Sequence, residues 1–233
     1  MIDRDLYRRE DKSSQPASLS APYKSTILRS PSHPLVRIPQ SLTETSGVEA
    51  WSHLGGSGSA DLTRQHPGQP IGQRIVVAGR VLDEYGRPVP GTLIEIWQAN
   101  SAGRYIHARD QWDAPIDPNF TGAGAVVTDD QGAYSFTSVR PGAYPWGNHD
   151  NAWRPAHIHL SVFGPAFVTR LVTQMYFEGD PLIARDPIAQ AVPEVARDRL
   201  IARFDPDLTQ PHFALGYVFD IVLRGRNQTP MET

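Results

Sequence analysis

The residues of this chain best suited to chemistry lie in the stretch YPWGNHDNAWRPAHIH, from Tyr144 to His159. Its end, Pro155 to Val162, alternates like a half-buried strand, in which residues two apart project from one face. His157 and His159 therefore point one way, and Ile158, Leu160 and Val162 the other. An aliphatic face wants a core, so the imidazoles occupy the face left for chemistry or solvent. Side by side, two imidazoles make half of a metal site. A lone His-x-His is more often plain surface, and this chain has eight histidines to scatter. What raises this pair is its company: Trp146, Trp153, Arg154 and Tyr144 put enough aromatic mass into an irregular segment to line a pocket.

Two tyrosines in turn-like surroundings extend the idea. Tyr105 sits in SAGRYIHARD and Tyr144 follows a Pro-Gly turn, whereas Tyr85, in DEYGRP, reads as an ordinary rim or packing residue. Ligation of a hard trivalent cation is the chemical alternative for Tyr105 and Tyr144. A free phenol has a pKa of about 10, so phenolate at neutral pH needs a strong local positive charge. Ferric iron would supply it, and two tyrosinates with two neutral imidazoles would make four ligands with a position left open.

The elements that must position these groups are short strands. RIVVAGRVL (74–82) and TLIEIWQAN read as strands around a turn cluster with Gly86, Pro88 and Pro90. In the second of them Leu93, Glu95 and Trp97 share one face, and Ile94, Ile96 and Gln98 the other. Further strands are expected at 125–128, 133–139, 157–163, 171–177 and 217–223. Short strands at close spacing with Gly- and Pro-rich turns predict a mainly β fold, an antiparallel β-sandwich. One helix is expected after Pro193, where Val195, Ala196, Leu200, Ile201 and Phe204 recur at helical spacing until Asp205-Pro206. The body spans 74–233. Residues 1–73 form an N-terminal arm: polar and extended to about residue 20, then apolar enough at Leu28, Leu35, Val36, Ile38 and Leu42 to pack on something, with a Gly- and Ser-rich loop from Gly55 to Gly72.

Composition narrows the classes. The chain of 233 residues has a net charge of −3 and no basic run, so nothing points to nucleic acid or an anionic membrane. Cysteine is absent, which removes disulfides, thiolate sites and cysteine nucleophiles and leaves any metal to His, Tyr, Asp and Glu. No apolar run approaches a membrane span and the first residues lack a signal-peptide core, so a cytoplasmic protein is the default expectation.

Read together, YKSTILRSP, IPQSLTET, GRYIH, DPNFTGAG, PGAYPW, WRPAHIH, TQMYFEGDPL and FDIVLRG cover nearly the whole chain. They resemble the beta subunits of protocatechuate 3,4-dioxygenases, of the intradiol ring-cleaving family. The resemblance implies a β-sandwich holding a non-haem Fe(III) through Tyr105, Tyr144, His157 and His159. On matching positions, Arg154 and Gln174 would face the substrate ring, and Tyr23, Trp146 and Ile188 would line its pocket. It further implies that a catechol binds the iron through both oxygens while Tyr144 leaves with a proton. O2 then opens protocatechuate to 3-carboxy-cis,cis-muconate, a step of aromatic catabolism in the beta-ketoadipate pathway. The partner it implies is a homologous alpha subunit, in larger alpha-beta oligomers. Gly147 departs from the family pattern, since the best-known members carry arginine after Pro-Trp; the loop from Gly55 also looks short and diverged.

Other readings are set beside this one. His157 and His159 with a third His or a carboxylate would hold zinc or ferrous iron. A catechol or hydroxyquinol dioxygenase would use the same four ligands. A non-catalytic binding sandwich fits the first hairpin alone. The alternative role of Arg154 is an ion pair with Asp150, and that of Gln174 a structural hydrogen bond.

Overall fold

A computed structural model of the chain describes residues 12–34, 36, 60–147, 152–164 and 170–232. Within them run eleven strands: β1 (Arg74–Leu82), β2 (Leu93–Gln98), β3 (Ala123–Val127), β4 (Ala133–Val139), β5 (Tyr144–Pro145), β6 (Trp153–Arg154), β7 (His157–Phe163), β8 (Arg170–Phe177), β9 (Ile201–Gln210), β10 (Ala214–Val218) and β11 (Ile221–Val222). One layer is β3-β2-β7-β8. The other is β9-β10-β1, with β4 and β11 also on β1. The layers meet along one seam, where Tyr176 and Phe177 of β8 pair with Ile201 and Ala202 of β9.

The period-2 pattern explains the sandwich. Ile94 and Ile96 of β2, Ile158, Leu160 and Val162 of β7 and Met175 of β8 pack against Ile75, Val77 and Val81 of β1, Phe136 of β4 and Tyr217 of β10. Each strand gives the core its alternate residues and leaves the others facing out. The sandwich is mixed rather than purely antiparallel, since β1 runs parallel to both β10 and β11.

Two expectations need correction. The helix after Pro193 spans only Glu194–Arg197, continues as a 3-10 turn over Asp198–Leu200, and gives way to β9 at Ile201. The residues counted as the end of a helical stripe are the start of a strand, because Ile201 pairs with β8 and Phe204 with β10. The strand expected over 217–223 is broken at Phe219-Asp220, where the Asp220 carboxylate accepts the Arg80 N–H at 2.8 Å.

Some of the described parts of the N-terminal arm lie on this chain's own body. Lys12–Ser14 forms a 3-10 turn with Ser14 buried, Tyr23 is 4% exposed, and Leu62 is fully buried within the sandwich core. Leu35, Ile38 and Leu42 fall outside the described residues, as does Asp150.

Candidate metal and substrate site

The outer face of β7 carries the site. His157 and His159 have ring centroids 4.9 Å apart, while Ile158 between them has no exposed surface. Register places Trp97 of β2 beside His159 and Gln174 of β8 on its other flank. Tyr176, two residues further on, flanks His157. The Trp97 ring leans on both His159, 5.4 Å away, and Tyr105, 4.8 Å away.

The two tyrosines arrive on loops tied together. Asn100 accepts the N–H groups of Ala102 and Arg104 on its side chain, and its carbonyl accepts the Gly142 N–H, so the loop before Tyr105 is bound to the turn before Tyr144. Gly103 lies between them at φ +78°, where a Cβ would stand 2.4 Å from the Ala143 oxygen. Only glycine meets both demands. Asp110 then takes the Tyr105 N–H at 2.8 Å, and β5 pairs Tyr144 with Arg154 of β6.

The four side chains expected at the metal come together. The Tyr144 and Tyr105 hydroxyls lie 3.4 Å and 3.5 Å from His157 Nε2. His157 Nδ1 donates to the Pro155 carbonyl at 2.7 Å, which leaves Nε2 as the lone pair facing the phenols. Burial, with the charges of Arg154 and His159, holds His157 well below its ordinary pKa, so the ring is neutral. His159 Nδ1 meets Glu232 Oε2 at 3.1 Å. Burial pushes the Glu232 carboxyl up, but the His159 hydrogen bond and the charges of His159 and Arg154 leave it below the usual glutamate range. Burial raises both phenols, Tyr105 far and Tyr144 less; at Tyr144 the nearby Arg154 opposes the rise. Both are protonated unless a cation lies among them.

Arg154 is fixed by a buried network. It is 3% exposed, donates to Asp186 through Nε at 3.2 Å and Nη2 at 3.0 Å, and reaches the Tyr176 hydroxyl at 3.1 Å. Nη2 also donates to Gln174 Oε1, and the Tyr176 hydroxyl donates to Asp186 Oδ2 at 2.8 Å. The ion pair of Arg154 is thus with Asp186. Gln174 Nε2 is buried without a hydrogen-bond partner, although it lies close enough to Glu232 to stabilise that carboxylate.

Of the three residues expected to line the pocket, Tyr23 and Trp146 meet edge to face at 5.3 Å, and the Trp146 ring lies under the Arg154 guanidinium at 5.5 Å. Ile188 is 5% exposed on the short helix Pro187–Ala191, which Asp186 caps by accepting the Ile188 N–H. Trp153 alternates away from Arg154 along β6 and stacks edge-on with Trp112, at the rim. The exposed Tyr85 lies on the β1–β2 turn under Arg87. Among the described residues no three His, Asp or Glu side chains are grouped to hold a metal. Glu232 lies behind the His159 ring at Nδ1, so phenols are the oxygen donors beside His157 Nε2.

Sequence reading had missed Asp186, Tyr176, Trp97 and Glu232. Tyr176 and Trp97 were within reach of it, since each follows from strand register once β7 is placed. Asp186, directly before Pro187, carried a cap signal but no sign of its arginine. Glu232 carried none.

The comparisons agree with this geometry. A family model described as Dioxygenase matches residues 49–225, and one described as protocatechuate 3,4-dioxygenase beta subunit N terminal matches residues 7–41. The protocatechuate 3,4-dioxygenase beta chain of Burkholderia cepacia is 56% identical over 224 residues, 95% of each chain. A hydroxyquinol 1,2-dioxygenase from Rhizobium is 33% identical over 60% of this chain, which spans 55% of that relative. Among solved structures, a catechol 1,2-dioxygenase from Acinetobacter, inhibited by bound mercury, aligns with a TM-score of 0.54 and 25% identity, over 74% of this chain and 59% of that one. The chain accordingly belongs to the intradiol ring-cleaving dioxygenases, a family of oxidoreductases.

Proposed function

We propose that this chain is the iron-bearing subunit of an enzyme that opens protocatechuate between its two hydroxylated carbons with O2, giving 3-carboxy-cis,cis-muconate in aromatic catabolism. The observation that carries the reading is the meeting of two phenol oxygens with His157 Nε2, next to a second imidazole whose Nδ1 is already occupied. Two anionic oxygens and two neutral nitrogens suit Fe(III), which would be held by Tyr105, Tyr144, His157 and His159. When bound, the ferric ion would draw electron density from a chelated catecholate so that the ring can react with O2.

The chain's own residues do the rest. Tyr144, paired with Arg154 across β5 and β6, is the residue we assign to accept, as phenolate, a proton from the substrate's second hydroxyl. Arg154, which cannot swing because Asp186, Tyr176 and Gln174 hold it, stabilises negative charge developing on the ring; a fixed donor of this kind contributes roughly 3 kcal/mol. Gln174 orients that guanidinium and offers Nε2 to the site. Tyr23, Trp146 and Ile188 clamp the ring and keep water out.

Protocatechuate is preferred over catechol or hydroxyquinol because the relative named for it matches along 95% of this chain, arm included, whereas the hydroxyquinol relative matches along 60%. The partner proposed is an alpha subunit, in keeping with the beta-chain relative. Ile27, Leu28 and Val36 of the arm are 60%, 94% and 87% exposed, apolar surface for such a partner to cover. In this division residues 1–73 serve the interface and 74–233 the catalysis, although Tyr23 reaches into the site. No helix among the described residues is long and apolar enough to cross a membrane, and we place the enzyme in the cytoplasm.

The test is to co-express the chain with its alpha partner, measure bound metal and record oxygen uptake with protocatechuate and with catechol. The expected result is a red-brown protein with stoichiometric iron and faster uptake with protocatechuate. Stoichiometric iron without colour would refute the tyrosinate ligands, zinc would refute the chemistry, and faster uptake with catechol would move the substrate.

A further inference from the structure

We infer that Glu232, next to the last residue of the chain, is a positioning residue that fixes the tautomer and ring plane of His159; this rests on the iron reading above. The two imidazoles of the site are oriented by unlike means. His157 Nδ1 is satisfied locally, by the carbonyl of Pro155 two residues earlier. His159 finds its partner 73 residues away, in the Glu232 carboxylate at 3.1 Å. An imidazole that donates Nδ1–H to a fixed acceptor must present Nε2 as its lone pair, and the acceptor also makes the ring more basic toward a metal.

The carboxylate is not a chance neighbour on a loose end. Four separate contacts hold the tail that carries it. Thr229 exchanges hydrogen bonds with Val222 of β11, its N–H donating at 2.9 Å and its hydroxyl accepting at 3.0 Å. The Thr173 hydroxyl donates to the Pro230 carbonyl at 2.7 Å. The Met231 N–H donates to Gln15 Oε1 at 2.8 Å, and the Glu232 N–H to the Val172 carbonyl at 2.8 Å. β8, β11 and the N-terminal segment thus converge to place one side chain behind one ring. Met231 and Glu232 line a cavity of about 650 Å³, together with Gln15, Gln190 and Arg197.

The experiment uses the complex with its alpha partner, comparing wild type with Glu232→Ala, Glu232→Gln and Gln15→Ala. Iron retained against a chelator, the phenolate-to-iron absorption band and the melting temperature are the readouts. Loss of an outer partner of a ligating histidine typically weakens metal binding 10- to 100-fold. Glu232→Ala should therefore lose iron about 10-fold more readily and shift the band, while Glu232→Gln, whose amide oxygen still accepts from Nδ1–H, should keep most of the iron. Gln15→Ala, which loosens the tail without touching the carboxylate, should lower the melting temperature more than it lowers iron retention. Unchanged iron affinity and band in Glu232→Ala would overturn the inference. So would equal iron loss in Glu232→Ala and Glu232→Gln, or iron loss in all three variants that merely follows the melting temperature. A wild-type complex that binds no iron at all would refute the underlying function instead, before any variant is made.

Discussion

Two arginine–aspartate pairs in this molecule have similar contact distances and opposite surroundings. In the β1–β2 turn Arg87 Nε meets Asp83 Oδ2 at 2.7 Å, with side chains 69% and 27% exposed. At the site Arg154 Nη2 meets Asp186 Oδ2 at 3.0 Å, with side chains 4% and 0% exposed. The exposed contact is the shorter, yet distance does not rank them. The turn pair is shared with water, and its loss frees two groups that water solvates at once. At the buried pair neither partner has that refuge, and each charge is tolerable only because the other is there. Burial is what converts an ion pair into a rigid mount, and the site needs a guanidinium that stays put.

Three variants would break or sharpen this contrast. Asp186→Ala strands a buried guanidinium and also removes the acceptors of Tyr176 and Ile188, so the melt of the complex should show a loss of about 3–5 kcal/mol. A loss below about 1 kcal/mol would erase the distinction between the two pairs. Arg154→Ala should retain iron while turnover of protocatechuate falls roughly 100- to 1000-fold, about 3 kcal/mol or slightly more in the barrier. Loss of the iron would make Arg154 structural. Pairing Arg154→Met with Asp186→Leu should recover stability without recovering turnover, because apolar replacement removes both stranded charges but not the need for a cation.

The smallest effect belongs to the turn. Asp83→Ala should cost no more than about 1 kcal/mol. Burial pushes the Asp83 carboxyl up slightly, but hydrogen bonds from the Arg87 and Tyr85 N–H groups and the Arg87 side chain bring it below its ordinary value of 3.8. A carboxyl lowered on folding contributes stability that is complete above the unfolded value and lost as pH falls through the folded one. Wild type and Asp83→Ala should therefore differ in melting temperature at neutral pH and converge in acid below 3.8. A gap that persists there would assign the effect to turn geometry rather than charge.

Much of the site was legible because strand alternation is a local signal. His157 and His159 share a face for the same reason that Ile158 and Leu160 lie in the core, and no distant residue is needed to see it. Gly103 and the Pro141-Gly142 turn likewise announce tight chain around the tyrosines. The residues from Ile201 to Phe204 show the limit. Their spacing suits a helix as well as a strand, and the pairing of Ile201 and Ala202 with Tyr176 and Phe177 decides between them.

By itself, then, the order of residues determined a β-rich body, the outward pair of imidazoles and, through resemblance, the two tyrosines that join them. Only the tertiary structure decided what stands behind those groups: Asp186 against Arg154 across 32 positions and Glu232 against His159 across 73. The physical reason is that periodicity reports which way a side chain faces. What it meets there depends on how distant strands and a C-terminal tail are packed, and at such separations no local pattern records the partner.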